Sequence, residues 1–269
     1  MSELQTFRSK YGPWALVTGA ARGLGSEFAR QIAARGINLV MVDILADELE
    51  QVSREIQNCT GRDIITVVTD LSQSQFIDTI RERTESLEIG LLVSNAAFGP
   101  VGLFLDKSLD DKQKMIAVNV QAPLVLVQEF ASMMQTRKRG GIILLSSASA
   151  LRGSAYVSNY AATKAYNLVL AEGLWDELRE HGIDVLGFMP GITSTPAFEQ
   201  SKPNLERRMK VVPIMEVEPT VAEALEALGK RPSHIAGRMN RLTMFMSIKL
   251  MPRKTAVTLV GKQMRNLYG

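Results

Sequence analysis

The sequence predicts an α/β fold: a single domain on a doubly wound parallel sheet, with helices on both faces and a C-terminal helical extension. Three observations support this. The short strand-like runs are apolar throughout rather than alternating, as a sheet covered on both faces requires. Strand and helix patterns alternate, with crossovers of helical length, which implies parallel pairing. The residues able to do chemistry fall just after a strand or on the helix that follows, where ligands sit in such sheets. This is the Rossmann-type arrangement, on 269 residues of which 46% are apolar.

The elements run in order. Trp14 to Thr18 reads as a buried strand entering a glycine turn, and Ser26 to Arg35 as an amphipathic helix ended by Gly36. A second strand covers Asn38 to Val42, followed by a helix from Ala46 to Gln57. Ile64 to Val68 forms a third strand with Asp70 at its exit. The fourth, fifth and sixth cover Gly90 to Ser94, Gly141 to Leu145 and Asp184 to Phe188. Long helical patterns span Leu109 to Gln135 and Tyr156 to Glu180. The division expected is a core at 12–195, a substrate loop at 196–215 and the extension at 216–269.

Composition narrows the function classes. With 22% charged residues and no repeat or long Pro/Gly/Ser tract, neither disorder nor a solenoid is expected. A lone Cys59 excludes an internal disulfide framework and fits a reducing compartment. Only His181 and His234 are present, with no Cys/His cluster, so no zinc site is expected. The first residues lack a signal-peptide apolar core, and no uninterrupted apolar stretch of about 20 residues exists. A cytoplasmic location is expected. Net charge is +3, yet residues after Glu226 carry nine Lys/Arg and no Asp or Glu.

T-G-A-A-R-G-L-G, Thr18 to Gly25, places Gly19, Gly23 and Gly25 between the first strand and first helix. Glycine there tolerates φ > 0 and lets backbone approach a pyrophosphate, which the free N–H groups of a helix N-terminus attract. The spacing is G-x-x-x-G-x-G rather than the commoner G-x-G-x-x-G. A loop that only caps the helix is the competing account. Asp43, closing the second strand, is placed to accept ribose hydroxyls of NAD and to repel the 2′-phosphate of NADP. Ile44 and Leu45 offer that phosphate no cation, whereas Arg22 could reach it. NAD(H) is therefore expected over NADP(H). Asp70 either contacts adenine or caps the following helix. Asn95, Ala96 and Ala97 leave room for a flat cofactor, or form a plain turn.

Tyr160 and Lys164 in Y-A-A-T-K are i,i+4 neighbours if their segment is helical. The tyrosine can then exchange a proton with a substrate oxygen. Free tyrosine titrates near 10, so working near neutrality needs a depression of about two to three units, roughly 3 to 4 kcal/mol. A nearby Lys164 ammonium with oxidised nicotinamide has the right sign. Ser147, thirteen residues before Tyr160, would hydrogen-bond the substrate oxygen, although Ser146 or Ser149 could take that place. A structural tyrosine–lysine pair and a turn serine are the bland readings. Their joint occurrence downstream of the glycine loop outweighs both.

On these motifs the chain resembles the short-chain dehydrogenase/reductase superfamily in its single-domain form, from about Trp14 to Thr195. The motifs are T-G-A-A-R-G-L-G, Asp70, S-N-A-A at Ser94 to Ala97, Asn119 in A-V-N-V, Ser147, Tyr160, Lys164, and Pro190–Gly191. The resemblance implies a twisted parallel sheet, hydride transfer to or from a dinucleotide, and a homodimer or homotetramer. It also implies that Asn119 holds a water linking Lys164 to solvent. Dinucleotide contacts extend by position to Thr18, Ala21, Leu24, Leu71, Tyr160, Lys164, Pro190, Gly191, Thr193 and Thr195. Thr195 would meet the nicotinamide carboxamide, and in S-T-P it also reads as an N-cap. The family's usual N-N-A-G after the fourth strand is here Ser94 to Ala97.

Phe98, Leu151, Tyr156, Phe198, Met209 and Met215 are candidate pocket residues, an apolar set suiting a steroid-, retinoid- or acyl-like alcohol or ketone. In the extension, helices are expected at Pro219 to Gly229, Arg238 to Leu250 and Arg253 to Tyr268. Methionines and large apolar residues alternate there with Lys and Arg. Such helices pack over the cleft or on a partner subunit, or lie in a membrane interface. Nothing beyond charge suggests nucleic acid. The expected protein is thus an NAD(P)(H)-dependent oxidoreductase of a hydrophobic alcohol and its ketone. The alternative is a dinucleotide-binding regulatory or scaffold protein without turnover.

Overall fold

A computed structural model describes residues 3–201, 203–207 and 213–269. Seven parallel strands form one sheet in the order β3-β2-β1-β4-β5-β6-β7. They are β1 (Trp14–Thr18), β2 (Asn38–Asp43), β3 (Ile64–Val68), β4 (Ile89–Ser94), β5 (Gly140–Leu145), β6 (Ile183–Met189) and β7 (Ser233–Ile235). The helices are α1 (Glu3–Tyr11), α2 (Gly23–Ala34), α3 (Ala46–Thr60), α4 (Phe76–Thr84), α5 (Leu109–Ile116) and α6 (Ala122–Arg137). They continue with α7 (Ser158–Arg179), α8 (Pro196–Gln200), α9 (Val217–Ala227), α10 (Arg238–Leu250) and α11 (Arg253–Tyr268).

The apolar strands are buried on both faces because alternate side chains enter two separate cores. Ala15 and Val17 face α2, α3 and α9 through Phe28, Ile32, Leu49 and Val221. Leu16 faces the other way, with Phe76, Ile80, Leu126 and Phe130 of α4 and α6. Strand order reverses between β1 and β4, so their carboxyl ends diverge there and open a crevice.

Three local features depart from the sequence expectations. The stretch expected as one helix from Leu109 is interrupted by a π-turn at Ala117–Gln121 that contains the buried Asn119. By length and composition the path Leu109–Arg137 could cross a membrane. Here Leu126, Phe130 and Met134 are instead fully buried in the second core. The helix expected from Tyr156 starts two residues later, because Tyr156 adopts a left-handed φ of 65°. Ser233–Ile235, between two expected helices and outside the six expected strands, is a seventh strand on the β6 edge.

The N-terminal end of α10 is fastened to the core by the Glu223 carboxylate, and its far end by Arg152, which donates to the Ser247 and Ile248 carbonyls. Glu223 of α9 accepts from Arg241 Nη1 at 2.7 Å, faces His234 Nε2 at 3.0 Å, and takes the Gly237 N–H at 3.1 Å. Burial raises its carboxyl, but His234, Arg241 and Gly237 outweigh this and hold it below the usual range. Replacing Glu223 with Gln is expected to cost about 2 kcal/mol in urea unfolding, with faster proteolysis after Gly237. An unchanged midpoint would mean α10 is held elsewhere.

Candidate active site

The glycine turn is shaped by what lies beneath it. Gly19 has φ 67° and Gly23 φ 56°, both left-handed. A side chain on Gly25 would overlap the Gly19 carbonyl and the Asn95 amide. Asn95 Nδ2 donates to Thr18 O at 2.9 Å and Gly19 O at 3.2 Å, stitching β4 to the turn. The Thr18 hydroxyl accepts the N–H groups of Asn95 and Ala96, both at 3.1 Å. The turn is thereby held as a bare backbone cradle at the N-terminus of α2, the geometry that accepts a pyrophosphate.

One cleft runs from this cradle to the tyrosine–lysine pair. It is lined by Gly19, Arg22, Gly23, Leu24, Asn95, Ala96 and Ala97 on one side, and by Leu145, Ser146, Tyr160, Lys164, Pro190 and Thr195 on the other. Pro196, Ala197 and Gln200 complete the wall. Thr18, Ala21 and Gly25 support the cradle from within. Gly191 is pressed against Asn240 of α10, and Thr193 forms a bridge with Met215. Thr195 accepts Phe198 N–H at 3.3 Å, so its capping role is made, and its side chain also lies against Gly23.

At the adenine end, Asp43 accepts the N–H groups of Ala21 (2.9 Å), Ile44 (2.7 Å) and Leu45 (3.2 Å). Arg22 is ion-paired with Glu48. Asp70 accepts Ser72 N–H at 2.9 Å and faces Lys114 Nζ at 3.3 Å. Burial works against its charge, but Ser72 and Lys114 prevail and lower its pKa. Asp70 thus closes the turn at Ser72 rather than capping the following helix, since α4 starts only at Phe76, and Leu71 beside it is buried in the second core.

Helix α7 puts Lys164 one turn after Tyr160, with Nζ 5.7 Å from the tyrosine ring centre. Lys164 is 2% exposed and donates to Leu145 O at 2.9 Å. Burial lowers its pKa to about 8. Burial also pushes Tyr160 up to about 12, opposed by the neighbouring Ser147 hydroxyl. The expected depression of Tyr160 is thus reversed in the protein by itself. Desolvation of the buried phenolate outweighs the Ser147 hydrogen bond.

Of the three serines, Ser147 is the one acting on Tyr160. Ser146 is buried, with its hydroxyl on Lys164 O at 2.7 Å. Ser149 Oγ lies 3.0 Å from Ser147 Oγ, which also accepts the Ser149 N–H. Asn119 is not free to hold ligands through its amide NH2, which donates to Phe98 O (2.9 Å) and Thr163 Oγ1 (3.1 Å). Its Oδ1 accepts Phe98 N–H at 2.8 Å. Since Thr163 donates to Tyr160 O, the side chain clamps the Tyr160 turn of α7 to the loop after β4.

Two contributors escaped the sequence reading. The Leu145 carbonyl receives Lys164, and backbone acceptors leave no residue-type signal. Gly99 lies so close to Tyr160 that a Cβ there would stand 2.7 Å from ring atom Cδ2. Its only trace is a glycine just past N-A-A-F.

Among the suggested pocket residues, Phe98 holds Lys114 Nζ 5.7 Å from its ring centre, while Leu151 ends a single turn after Ser147. Phe198 follows Ala197 of the cleft wall on α8. Met215 turns to the first core instead, and Met209 lies outside the described residues. Tyr156 meets the tail, its ring centre 6.5 Å from that of Tyr268. Tail and loop join further where Asn204 N–H donates to Leu267 O at 2.8 Å and Ser201 Oγ meets Tyr268 Oη at 3.2 Å. Helix α11 therefore returns to Tyr156 and to the segment after α8.

Residues 13–206 match the family model for short chain dehydrogenase. A 7beta-hydroxysteroid dehydrogenase of Clostridium sardiniense is 29% identical over 256 residues, covering 95% of this chain and 97% of that protein. A solved structure of a 7beta-hydroxysteroid dehydrogenase superposes with a TM-score of 0.88 at 30% identity, over 94% of this chain and 98% of that one. A short-chain dehydrogenase from Sphingobium yanoikuyae in complex with NADPH has a TM-score of 0.76 at 27% identity, covering 83% and 87%.

Proposed function

We propose that this chain, which belongs to the short-chain dehydrogenase family and is an oxidoreductase acting on CH–OH donors with NAD(P), interconverts a steroid-like secondary alcohol and its ketone. One observation carries the reading: the bare glycine cradle and the Tyr160–Lys164 pair line a single cleft. The cradle, Asn95 and the small Ala96 and Ala97 fit a dinucleotide, which when bound supplies or accepts the hydride. Tyr160 hands its proton to the carbonyl oxygen in reduction and takes it back in oxidation. Ser147 hydrogen-bonds that oxygen, and Lys164 favours the phenolate through its charge. Asn119 acts by holding α7 in register, and a water held there would link Lys164 to solvent for the proton relay.

NAD(H) is the preferred cofactor on two grounds. Asp43 closes β2 with a carboxylate, and Arg22 is committed to Glu48 rather than free for a 2′-phosphate. The Sphingobium yanoikuyae relative was solved with NADPH, so binding of both cofactors is the deciding measurement. The steroid-like substrate follows from the hydroxysteroid relative, which aligns along nearly its whole length.

Purified protein incubated with a panel of hydroxysteroids and ketosteroids should change the absorbance of NADH or NAD, and NADH should bind more tightly than NADPH. No turnover on the panel would sink the substrate class, and tighter NADPH binding the cofactor choice. Gly99→Ala is expected to tilt the Tyr160 ring and lower kcat about a hundredfold, with dinucleotide affinity unchanged. A normal kcat in that variant would show that the ring position is not critical.

A further inference from the structure

Helix α10 is inverted. Of its residues only Asn240 is buried, whereas Met239, Leu242, Phe245, Met246 and Leu250 are between 48% and 65% exposed. At 3.6 residues per turn, positions 239, 242, 245, 246 and 250 fall within one side of the helix, so they form one stripe facing away from the protein. An exposed apolar stripe of this kind marks a contact surface.

Charge says what kind. Residues 227–269 hold nine Lys/Arg and no Asp or Glu. Arg238, Lys249, Arg253, Lys254, Lys262 and Arg265 are exposed, and among the described residues none of them is paired with a carboxylate. We propose that α10 and α11 dock on an anionic lipid bilayer, the apolar stripe entering the acyl boundary and the cations meeting the headgroups. A second copy of this chain fits the face poorly, since a two-fold contact would set one all-basic surface against another. Nucleic acid fits no better, because phosphates gain nothing from a stripe of Met, Leu and Phe. Asn240 of α10 packs on Gly191, and α11 ends beside Tyr156, so the docked face adjoins the cleft. On the reading above, that places a lipid reservoir next to the site for a lipophilic ketone.

The test is co-sedimentation of the full chain with vesicles of equal parts phosphatidylcholine and phosphatidylserine, against phosphatidylcholine alone. Binding to the anionic vesicles only, weakening with salt, is the expected result. Phe245→Asp with Leu250→Asp should lower the bound fraction at least tenfold. Each of Arg253→Gln and Lys254→Gln should lower it about fivefold. Both pairs change exposed residues outside the cleft, so turnover on soluble substrate should persist. Absence of binding to either vesicle, or binding that ignores these substitutions, would overturn the proposal. So would concentration-dependent self-association abolished by the Asp pair while vesicles stay unbound. Sedimentation reads no turnover, so its failure leaves the catalytic proposal standing, and an inactive protein that still binds would leave this one standing.

Discussion

Tyr160→Phe is expected to lower kcat about a thousandfold while leaving NADH affinity unchanged. The magnitude is that of a lost positioned acid/base, about 10²–10⁴. Phenylalanine keeps the ring that packs on Gly99, so the cleft wall is preserved and only the proton donor goes. Turnover and a nicotinamide fluorescence titration on the same preparation separate the two quantities. Retained turnover would remove Tyr160 from the mechanism. Loss of affinity together with turnover would assign it to binding.

Lys164→Met has the second large effect, and its two parts have opposite signs. Activity should fall at least a hundredfold, because the charge that favours the phenolate is gone. Stability of the ligand-free protein should rise. The lysine titrates at 10.5 when unperturbed and at about 8 when buried in the fold. Between those values the unfolded chain binds the extra proton, so stability increases with pH across that window. Below about pH 8 the burial penalty is paid in full, up to about 3 kcal/mol. Methionine removes it, while Leu145 O keeps its longer bond from Asn167 at 3.4 Å. Urea unfolding at pH 7 and pH 10 checks this: the wild type should gain stability on going to pH 10 and the variant should not. A destabilised variant at pH 7 would mean that the Lys164–Leu145 bond outweighs desolvation. A lysine retained at such a cost belongs to function rather than to folding.

Much of this protein was legible locally. Strand positions came within a residue or two because apolar runs and helical periodicity report burial over short stretches. The Gly19–Gly25 turn was readable since a backbone cradle needs residues without side chains. Tyr160 and Lys164 were readable because one helical turn relates them. Short-range geometry is what a linear pattern encodes.

What the chain alone determined is the fold class, the glycine turn after β1 and the pairing of Tyr160 with Lys164 on one helix face. Tertiary structure decided the rest: that Ser147 rather than Ser146 serves Tyr160, that Asn119 is a clamp, and that Gly99 seats the ring. It also decided that Arg22 is engaged by Glu48, that Ser233–Ile235 joins the sheet, and that α10 turns its apolar face outward. It also set how deeply Tyr160 and Lys164 are buried, which in the protein by itself pushes the tyrosine up and the lysine down. The reason is physical. A pKa, a hydrogen-bond partner and a packed glycine depend on which distant surfaces meet and how much water they exclude, and no spacing along the chain specifies that.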